Sequence, residues 1–373
     1  MQQSTLTFAK PAPVPAAPRR RLHEVGPNWF ASVMGTGIVA TAAAGLPVQF
    51  PGLRGFAEVV WLLAAAVLAV LAVLVGACWL RHPTVARSHA RNAQMAHFYG
   101  AAPMAFLTVG AGALLVGGEV IGAQAALRLD WILWILGSAG GLFTAATIPF
   151  LMITRHEVGP DAAFGGWLMP VVPPMVSAAT GALLIPHIAS GTGRTTMLYA
   201  CLAMFGMSLI AALIITTMIW SRLVHYGTSG TARVPTLWIV LGPLGQSITA
   251  AGLLGGNAAA AVDPQVAGGL QVFAVLFGVP VWGFAVLWIV LATSLTLRTL
   301  LRGMPFALTW WSLTFPVGTF VTGTTQLAVH TGLPALRVAA VIGYLCLLGT
   351  WGLVATRTVH GSVRGDLLGP RLR

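Results

Sequence analysis

Long apolar segments alternate with short polar ones along almost the whole chain. A helix that crosses a bilayer needs about 20 mainly apolar residues. Ten stretches meet this requirement: 28–45, 56–80, 97–117, 130–153, 166–187, 195–221, 236–255, 267–297, 306–328 and 335–356. The eighth is overlong and contains Pro280, and we interpret it as one tilted or kinked helix. The pattern predicts an all-α integral membrane protein with ten transmembrane helices.

A short motif recurs at the start of every second predicted span: an aromatic residue, then a proline five or six positions later. The copies are Phe98 to Pro103, Trp167 to Pro173, Trp238 to Pro243 and Trp311 to Pro316, with Trp29 to Met34 as a degenerate first copy. Proline inside a helix costs about 3 kcal/mol. In membranes, irregular backbone is tolerated where it is covered by protein or lines a water-filled cavity. We therefore predict five pseudo-repeated helical hairpins, with the odd helices around a central pore and the even helices outside.

The residues around these breaks are the candidate pore lining. They are Val33, Gly35, Thr36, Gly37, Ala102, Pro103, Val172, Pro173, Gly242, Pro243 and Thr314. The residue before each break is small or medium-sized in four copies, and in the fifth it is Phe315. If pseudo-symmetry brings these positions to one level, Phe315 alone reaches across the lumen and closes it as a hydrophobic constriction, with Pro316 setting the bend. A phenylalanine in the core or facing lipid is the alternative, and spacing alone leaves both open.

The composition supports a membrane protein and narrows the function classes. Residues of the AVILMFWYC set make up 57% of the 373 residues and charged residues only 8%, with a mean hydropathy of +0.85. The three cysteines lie singly in apolar spans, so we expect no disulfide framework and no metal site. No nucleophile elbow or phosphate-binding loop is present, so we expect neither an enzyme nor a cofactor.

The basic residues indicate the orientation in the membrane. With ten spans, Arg54, Arg128, Arg194 and Arg337 fall on one side, and the other 16 of the 20 basic residues fall on the side of both termini. Basic loops remain in the cytoplasm, so both termini are expected there. The net charge of +12 is then mainly a topology signal, and we expect no nucleic-acid partner.

The domain organisation is one membrane domain with two tails. Residues 1–21 form a basic Pro/Ala-rich tail that we expect to be disordered and cytoplasmic, residues 22–360 form the ten-helix domain, and residues 361–373 form a basic cytoplasmic tail. Three arginines, an apolar stretch and then Ala42–Ala44 also resemble a cleavable signal peptide, which is the alternative for the first segment.

Few ionisable groups are available for coupling transport to protons. The acidic residues, including Glu58, Glu119 and Asp130, are expected in loops or near the ends of spans, with none in mid-membrane. A proton-coupled transporter usually keeps an ionisable group in its pathway, so their placement favours an uncoupled conduit. His97, near the inner end of the third predicted span, is the candidate contact for an anion or a proton. Helix dipoles and neutral hydroxyls would attract anions without formal charge.

Three segments resemble the tellurite-resistance and dicarboxylate transporter family. They are Pro27 to Val39, which contains Met-Gly-Thr-Gly, then His82-Pro83 with Phe98 to Met104, and Trp310 to Pro316. That family includes bacterial TehA, plant slow-type anion channels, malate permeases and sulfite efflux pumps. The resemblance implies a pore in each subunit of a homotrimer in the plasma membrane, and it matches Phe315 to the family's gate phenylalanine.

The substrate remains open between several small anions. The family spans chloride, nitrate, malate and sulfite, and the Met-Gly-Thr-Gly form is closer to the permease and sulfite-pump branch. Two hypotheses therefore stand at this stage. One is an uncoupled anion channel, and the other is a coupled transporter of malate-like dicarboxylates or a sulfite efflux permease.

Overall fold

The computed structural model describes residues 25–228, 230–364 and 367, and this part of the chain is helical without a β-strand. The α-helices are α1 (Phe30–Gly45), α2 (Leu53–Arg81), α3 (Pro83–Arg91), α4 (Ala101–Gly112), α5 (Gly118–Ile121), α6 (Ala123–Thr154), α7 (Pro173–Leu184), α8 (Thr192–Tyr226), α9 (Leu241–Asn257), α10 (Pro264–Leu300), α11 (Phe315–Thr331) and α12 (Pro334–Arg364). The overlong eighth predicted span is one continuous helix, α10, with Pro280 inside it.

The described part of the chain includes only a small part of the two predicted tails. Residues 1–21 lie outside them, and so does most of 361–373. The last helix, α12, continues to Arg364, four residues beyond the predicted end of the membrane domain at residue 360.

Seven helical segments in the described part of the chain are long and apolar enough to cross a membrane. Four of them are the helices α2, α6, α8 and α10, and a fifth is α12. The other two, Ala96–Ile121 and Thr231–Ala260, join α4 and α9 to flanking turns of other helical types. The first, fifth and ninth predicted spans contain the shorter helices α1, α7 and α11, which have 16, 12 and 17 residues.

Each of the helices α1, α4, α7, α9 and α11 follows a tighter 3₁₀ segment. These segments are Pro27–Trp29, Ala96–Gly100, Gly165–Leu168, Thr231–Val240 and Leu308–Leu313. Every proline of the repeated motif is one of the first three residues of its α-helix. Amide groups there have no partner within the α-helix, so a proline costs little. The expectation that these prolines interrupt helix interiors was wrong; they begin α-helices after a 3₁₀ turn.

The helices form two concentric layers. Going round the inner layer, α1, α4, α7, α9 and α11 each contact the next, and α11 contacts α1, which closes a ring. The helices α2, α6, α8 and α10 lie outside, each against the inner helix before it and the inner helix after it in the chain. The last outer helix, α12, lies against α11 and α1. In its most apolar window, Thr231–Ala260 is 89% buried and Pro264–Leu300 only 22%, so the outer layer carries the surface available to lipid.

Tryptophan N–H groups connect the two layers. Trp61 on α2 donates to the carbonyl oxygen of Val109 on α4 at 3.0 Å. Trp134 on α6 donates to the carbonyl oxygen of Ser177 on α7, also at 3.0 Å. On α10 and α12, Trp282 and Trp351 donate to threonine hydroxyls of α11 and α1. The first three bonds join an outer helix to the next inner helix along the chain, and the fourth joins the last helix, α12, to the first, α1. A tryptophan suits this role because it can bury its ring while satisfying its single donor.

Candidate functional site

The inner ring encloses a cavity of about 120 Å³. All five inner helices contribute to its wall, and so does the π-helical turn Ala113–Gly117 that continues α4. The lining residues are Ile38, Thr41, Ala42, Gly45, Thr108, Ala111, Leu115, Val176, Ala179, Thr180, Leu183, Gln246, Thr249, Leu253, Phe315, Thr322, Thr325 and Gln326. These residues are apolar, hydroxyl-bearing or amide-bearing, and none carries a charge. The cavity can therefore attract a solute only through neutral donors and dipoles.

Phe315 lies at the end of this cavity nearest the starts of the inner helices. It is the first residue of α11. In the other four inner helices the first lining residue lies at least three residues after the start of the helix, at Ile38, Thr108, Val176 and Gln246. Its side chain is buried, with 3% exposure. A phenyl ring at the end of a cavity can exclude water and hydrated ions from the space beyond it.

The free polar groups of the cavity are two amides and one hydroxyl. Most lining threonines donate to their own helix, as Thr108 does to Met104 and Thr180 to Val176. Within the described residues, Gln246 and Gln326 make no side-chain hydrogen bond, and the hydroxyl of Thr325 is buried without a partner. An amide N–H or a hydroxyl can donate to an anion, and such neutral donors bind weakly enough to release it.

Among the other pore-lining candidates, Gly242 has the most open surroundings. A β-carbon added there would meet no atom within 4 Å, although Gly242 itself is buried. Val33 and Val172 are buried and Ala102 is half-buried, and none of them lines the cavity. Gly242 therefore faces empty space inside the protein at the start of α9.

Four candidates from the first and ninth spans face neighbouring helices. Trp351 of α12 donates to the hydroxyl of Thr36 at 3.1 Å, which turns Thr36 towards the outer layer. Gly35 packs against Thr314, whose hydroxyl donates to the carbonyl oxygen of Trp311 at 2.7 Å. A β-carbon at Gly37 would lie 2.8 Å from a methyl carbon of Thr108 on α4. These small residues allow neighbouring helices to pack closely. Their place in the sequence motif is therefore explained by contacts between helices.

The prolines are also buried within the helix bundle. Pro103 and Pro173 both pack against glycines of α6. Pro243 and Pro316 are buried in the first turns of α9 and α11, and the carbonyl oxygen of Pro316 accepts a bond from the Thr319 hydroxyl at 2.7 Å. None of the four lines the cavity.

His97 lies outside the cavity lining, in an aromatic cluster at the start of the third predicted span. Its ring stacks on Trp167 at 6.2 Å between centroids and meets the edge of Phe164 at 5.7 Å. The guanidinium of Arg233 lies over the ring of Phe164, 5.6 Å from its centroid. Nδ1 of His97 has no partner among the described residues. This cluster brings a histidine and an arginine to the end of the bundle where the inner helices begin.

Asp130 was not recognised as a buried group from the sequence. It was expected near the end of a span, but α6 begins at Ala123 and Asp130 lies two turns inside it, with 0% exposure. One carboxylate oxygen packs against Gly110 of α4. Neither oxygen has a hydrogen-bond partner in the described part of the chain. Asp130 is behind α4 and does not line the cavity.

The sequence that folds into this ring of helices matches a family of known membrane proteins. Residues 24–359 match the sequence profile of the family described as voltage-dependent anion channel, SLAC1. The chain belongs to this family, and it is a multi-pass membrane protein of anion transport. The resemblance inferred from the three sequence segments is thereby confirmed.

Individual relatives cover nearly the whole chain. The sulfite efflux pump SSU1 of Trichophyton rubrum is 28% identical over 350 residues, which cover 91% of this chain and 92% of the relative. The sulfite efflux pump SSU1 of Arthroderma otae is 28% identical over 353 residues, with the same coverage. A transporter of Methanocaldococcus jannaschii, MJ0762, is 24% identical over 341 residues, which cover 91% of this chain and 95% of the relative.

Proposed function

We propose that this protein lets small anions cross the membrane through a conduit within each subunit, closed by Phe315. The observation that carries the proposal is the cavity that the five inner helices enclose, which has neutral donors in its wall and Phe315 at one end. In this proposal the ten predicted spans all cross the bilayer as five hairpins. The short inner helices α1, α7 and α11 cross it together with the 3₁₀ segments that precede them.

Sulfite is the first substrate to test. Relatives named as sulfite efflux pumps align over 91% of this chain, and amide and hydroxyl donors suit the oxygens of a small oxyanion. Chloride and nitrate can use the same donors. A C4-dicarboxylate such as malate is larger and has two separate carboxylates, and the uncharged lining offers no cation to pair with either of them.

Uncoupled passage fits the lining better than proton coupling does. No acidic or basic side chain contributes to the wall of the cavity in the described residues. Asp130 and His97 are buried ionisable side chains, but both lie outside that wall. A coupled sulfite or dicarboxylate transporter is the second candidate, supported by the buried carboxylate of Asp130, which has no hydrogen-bond partner among the described residues.

We place the protein in the plasma membrane as a homotrimer with cytoplasmic termini. The orientation rests on the 16 of 20 basic residues on the side of the termini. The trimer rests on the family resemblance, and the apolar outer layer of α2, α6, α8, α10 and α12 provides surface for contacts between subunits as well as for lipid.

Flux into proteoliposomes tests the proposed function. Purified full-length protein is reconstituted, and uptake of sulfite, chloride, nitrate and malate is measured with and without a proton gradient, with protein-free liposomes as the control. We expect sulfite flux that follows the sulfite gradient, with little change when a proton gradient is imposed. Flux that requires the proton gradient supports the coupled transporter, and absence of flux for every anion overturns the proposal.

A further inference from the structure

A groove on the outer surface runs between α8 and α10. Its apolar part has a volume of about 180 Å³ and is lined by Trp220, Leu223, Val224, Leu237, Trp288, Leu291, Ala292 and Leu295. The rings of Trp220 and Trp288 lie 6.0 Å apart between centroids. Trp288 is held in place because its N–H donates to the carbonyl oxygen of Leu237 at 2.9 Å. The groove therefore has a fixed aromatic wall.

The groove opens at one end into a polar pocket. The pocket has a volume of about 320 Å³ and shares Leu223 and Leu295 with the apolar groove. Its other lining residues include Thr228, Arg298 and Arg302. Neither arginine has an ion-pair partner among the described residues, and no acidic residue lines the pocket. Two guanidinium groups thus lie where an apolar groove reaches the end of the helices.

We propose that this groove binds one anionic phospholipid. An acyl chain lies along the apolar part beside Trp220 and Trp288, and the headgroup phosphate lies between Arg298 and Arg302 in the polar pocket. The guanidinium groups donate to phosphate oxygens, and the hydroxyl of Thr228 is an additional donor at the same pocket.

The charge of the pocket and its position in the membrane both favour an anionic phospholipid. The basic pocket lies at the C-terminal ends of α8 and α10, on the side where the excess of basic residues predicts the cytoplasm. Basic pockets between membrane helices on that side favour anionic headgroups over zwitterionic ones. Free phosphate would contact the arginines but leave the apolar groove empty, so continuity between the two pockets favours a lipid.

The site also contacts the element that leads into the pore. Leu237 belongs to the 3₁₀ segment Thr231–Val240, which continues directly into the inner helix α9. A lipid in the groove therefore packs against the segment that positions Gly242 and the rest of α9. Occupancy is expected to stabilise the fold.

Native mass spectrometry of the intact protein tests the site. The protein is titrated with phosphatidylglycerol, with phosphatidylcholine of the same chains, and with inorganic phosphate. We expect one tight phosphatidylglycerol per subunit, weaker phosphatidylcholine binding and no displacement by phosphate. The double variant Arg298→Gln/Arg302→Gln should lose about fivefold in affinity for each arginine. The double variant Arg357→Gln/Arg364→Gln removes two exposed arginines from α12 and is the matched control.

A second variant tests the acyl part of the site without changing charge. Val224 is 68% exposed and lines the groove, so Val224→Trp fills it with little risk to folding. This variant should weaken binding of phosphatidylglycerol and of phosphatidylcholine alike. Equal affinity of the wild type for both lipids, full displacement by phosphate, or unchanged binding in the Arg298→Gln/Arg302→Gln variant overturns the proposal. A changed subunit count in that variant would make the groove a subunit interface and would overturn it too.

Discussion

Gly245 of α9 lies directly against the backbone of Thr319 in α11. A β-carbon added at Gly245 would fall 2.6 Å from the carbonyl oxygen of Thr319. The hydroxyl oxygen of Thr319 also lies 3.2 Å from the carbonyl oxygen of Leu241 in α9. Two inner helices therefore meet backbone to backbone, and the width of the ring at this level depends on the absence of a side chain at Gly245.

Replacing Gly245 with alanine should destabilise the protein. The atoms that its β-carbon would meet belong to the backbone of α11 and cannot rotate away, so overpacking by about 1–3 kcal/mol is expected. Gly242→Ala is the control on the same helix, since a β-carbon there meets nothing within 4 Å. Thermal unfolding in detergent, followed by size-exclusion chromatography, measures both. Equal melting temperatures for the two variants would contradict the close approach of α9 and α11.

A phenylalanine at Gly242 should reduce anion flux. Open space inside the protein surrounds this position, and in the proposal that space belongs to the conduit. The double variant Phe315→Ala/Gly242→Phe should conduct less than Phe315→Ala alone, because a second ring then occupies the lumen. Sulfite flux per folded protein in liposomes gives the comparison. If Gly242→Phe folds and leaves flux unchanged in both backgrounds, Gly242 does not face the conduit.

Asp130→Asn should leave transport unchanged. The carboxyl group is buried without a partner in the described part of the chain, and a charge within a membrane span costs about 2.5–3.5 kcal/mol at the centre of the bilayer. Asparagine keeps the size of the side chain and cannot carry that charge. We expect flux within about twofold of wild type and stability that is equal or higher. Gly110→Ala is the control, because its β-carbon would press against the same carboxylate without removing the ionisable group. It therefore shows the effect of disturbed packing alone. Loss of flux in Asp130→Asn with normal folding would instead support the coupled transporter.

Cysteine labelling tests the predicted orientation. Ser190 and Thr84 are exposed and lie at opposite ends of the helices, in the α7–α8 connection and at the start of α3. Gly191 is unsuitable for a label because its φ of +122° disfavours a side chain. In intact cells, Ser190→Cys should react with an impermeant maleimide and Thr84→Cys should react only after lysis. The native exposed Cys346 is replaced by serine first. The opposite labelling pattern would show that the predicted orientation in the membrane is inverted.

The sequence predicted the helical elements well because their signal is local. Hydropathy located α2, α6, α8, α10 and α12 within a few residues at most ends, but α6 begins seven residues before the predicted 130 and α12 ends eight residues after the predicted 356. The repeated aromatic and proline spacing lies at the junctions from 3₁₀ to α-helix, although it was interpreted as breaks inside helices. These features depend on the composition of single segments, which the sequence records directly.

The direction in which a side chain points was much harder to predict. Thr36 was grouped with the pore lining because of its place in the motif, but its hydroxyl accepts a bond from Trp351, 315 residues away. Asp130 was expected near a span end, but it is buried because α6 starts earlier and packs closely on Gly110. Contacts of this kind depend on helix rotation and on partners distant in sequence, which periodicity alone does not determine.

The paired phenylalanines of α11 allow the most direct test of the proposed gate. Phe315 lines the cavity, whereas Phe320 on the same helix stacks on Trp282 of α10, with 6.0 Å between ring centroids, and does not line it. Both are buried, with 3% and 7% exposure, so truncation of either costs packing energy, about 3–5 kcal/mol in soluble proteins.

Sulfite flux per correctly folded protein is measured in liposomes for wild type, Phe315→Ala and Phe320→Ala. We expect Phe315→Ala to raise basal flux, because removing the ring lets water and anions pass. Phe320→Ala should lower stability without raising flux. Unchanged or lower flux in Phe315→Ala at matched folded protein, or an equal rise in both variants, would contradict the assignment of Phe315 as the gate.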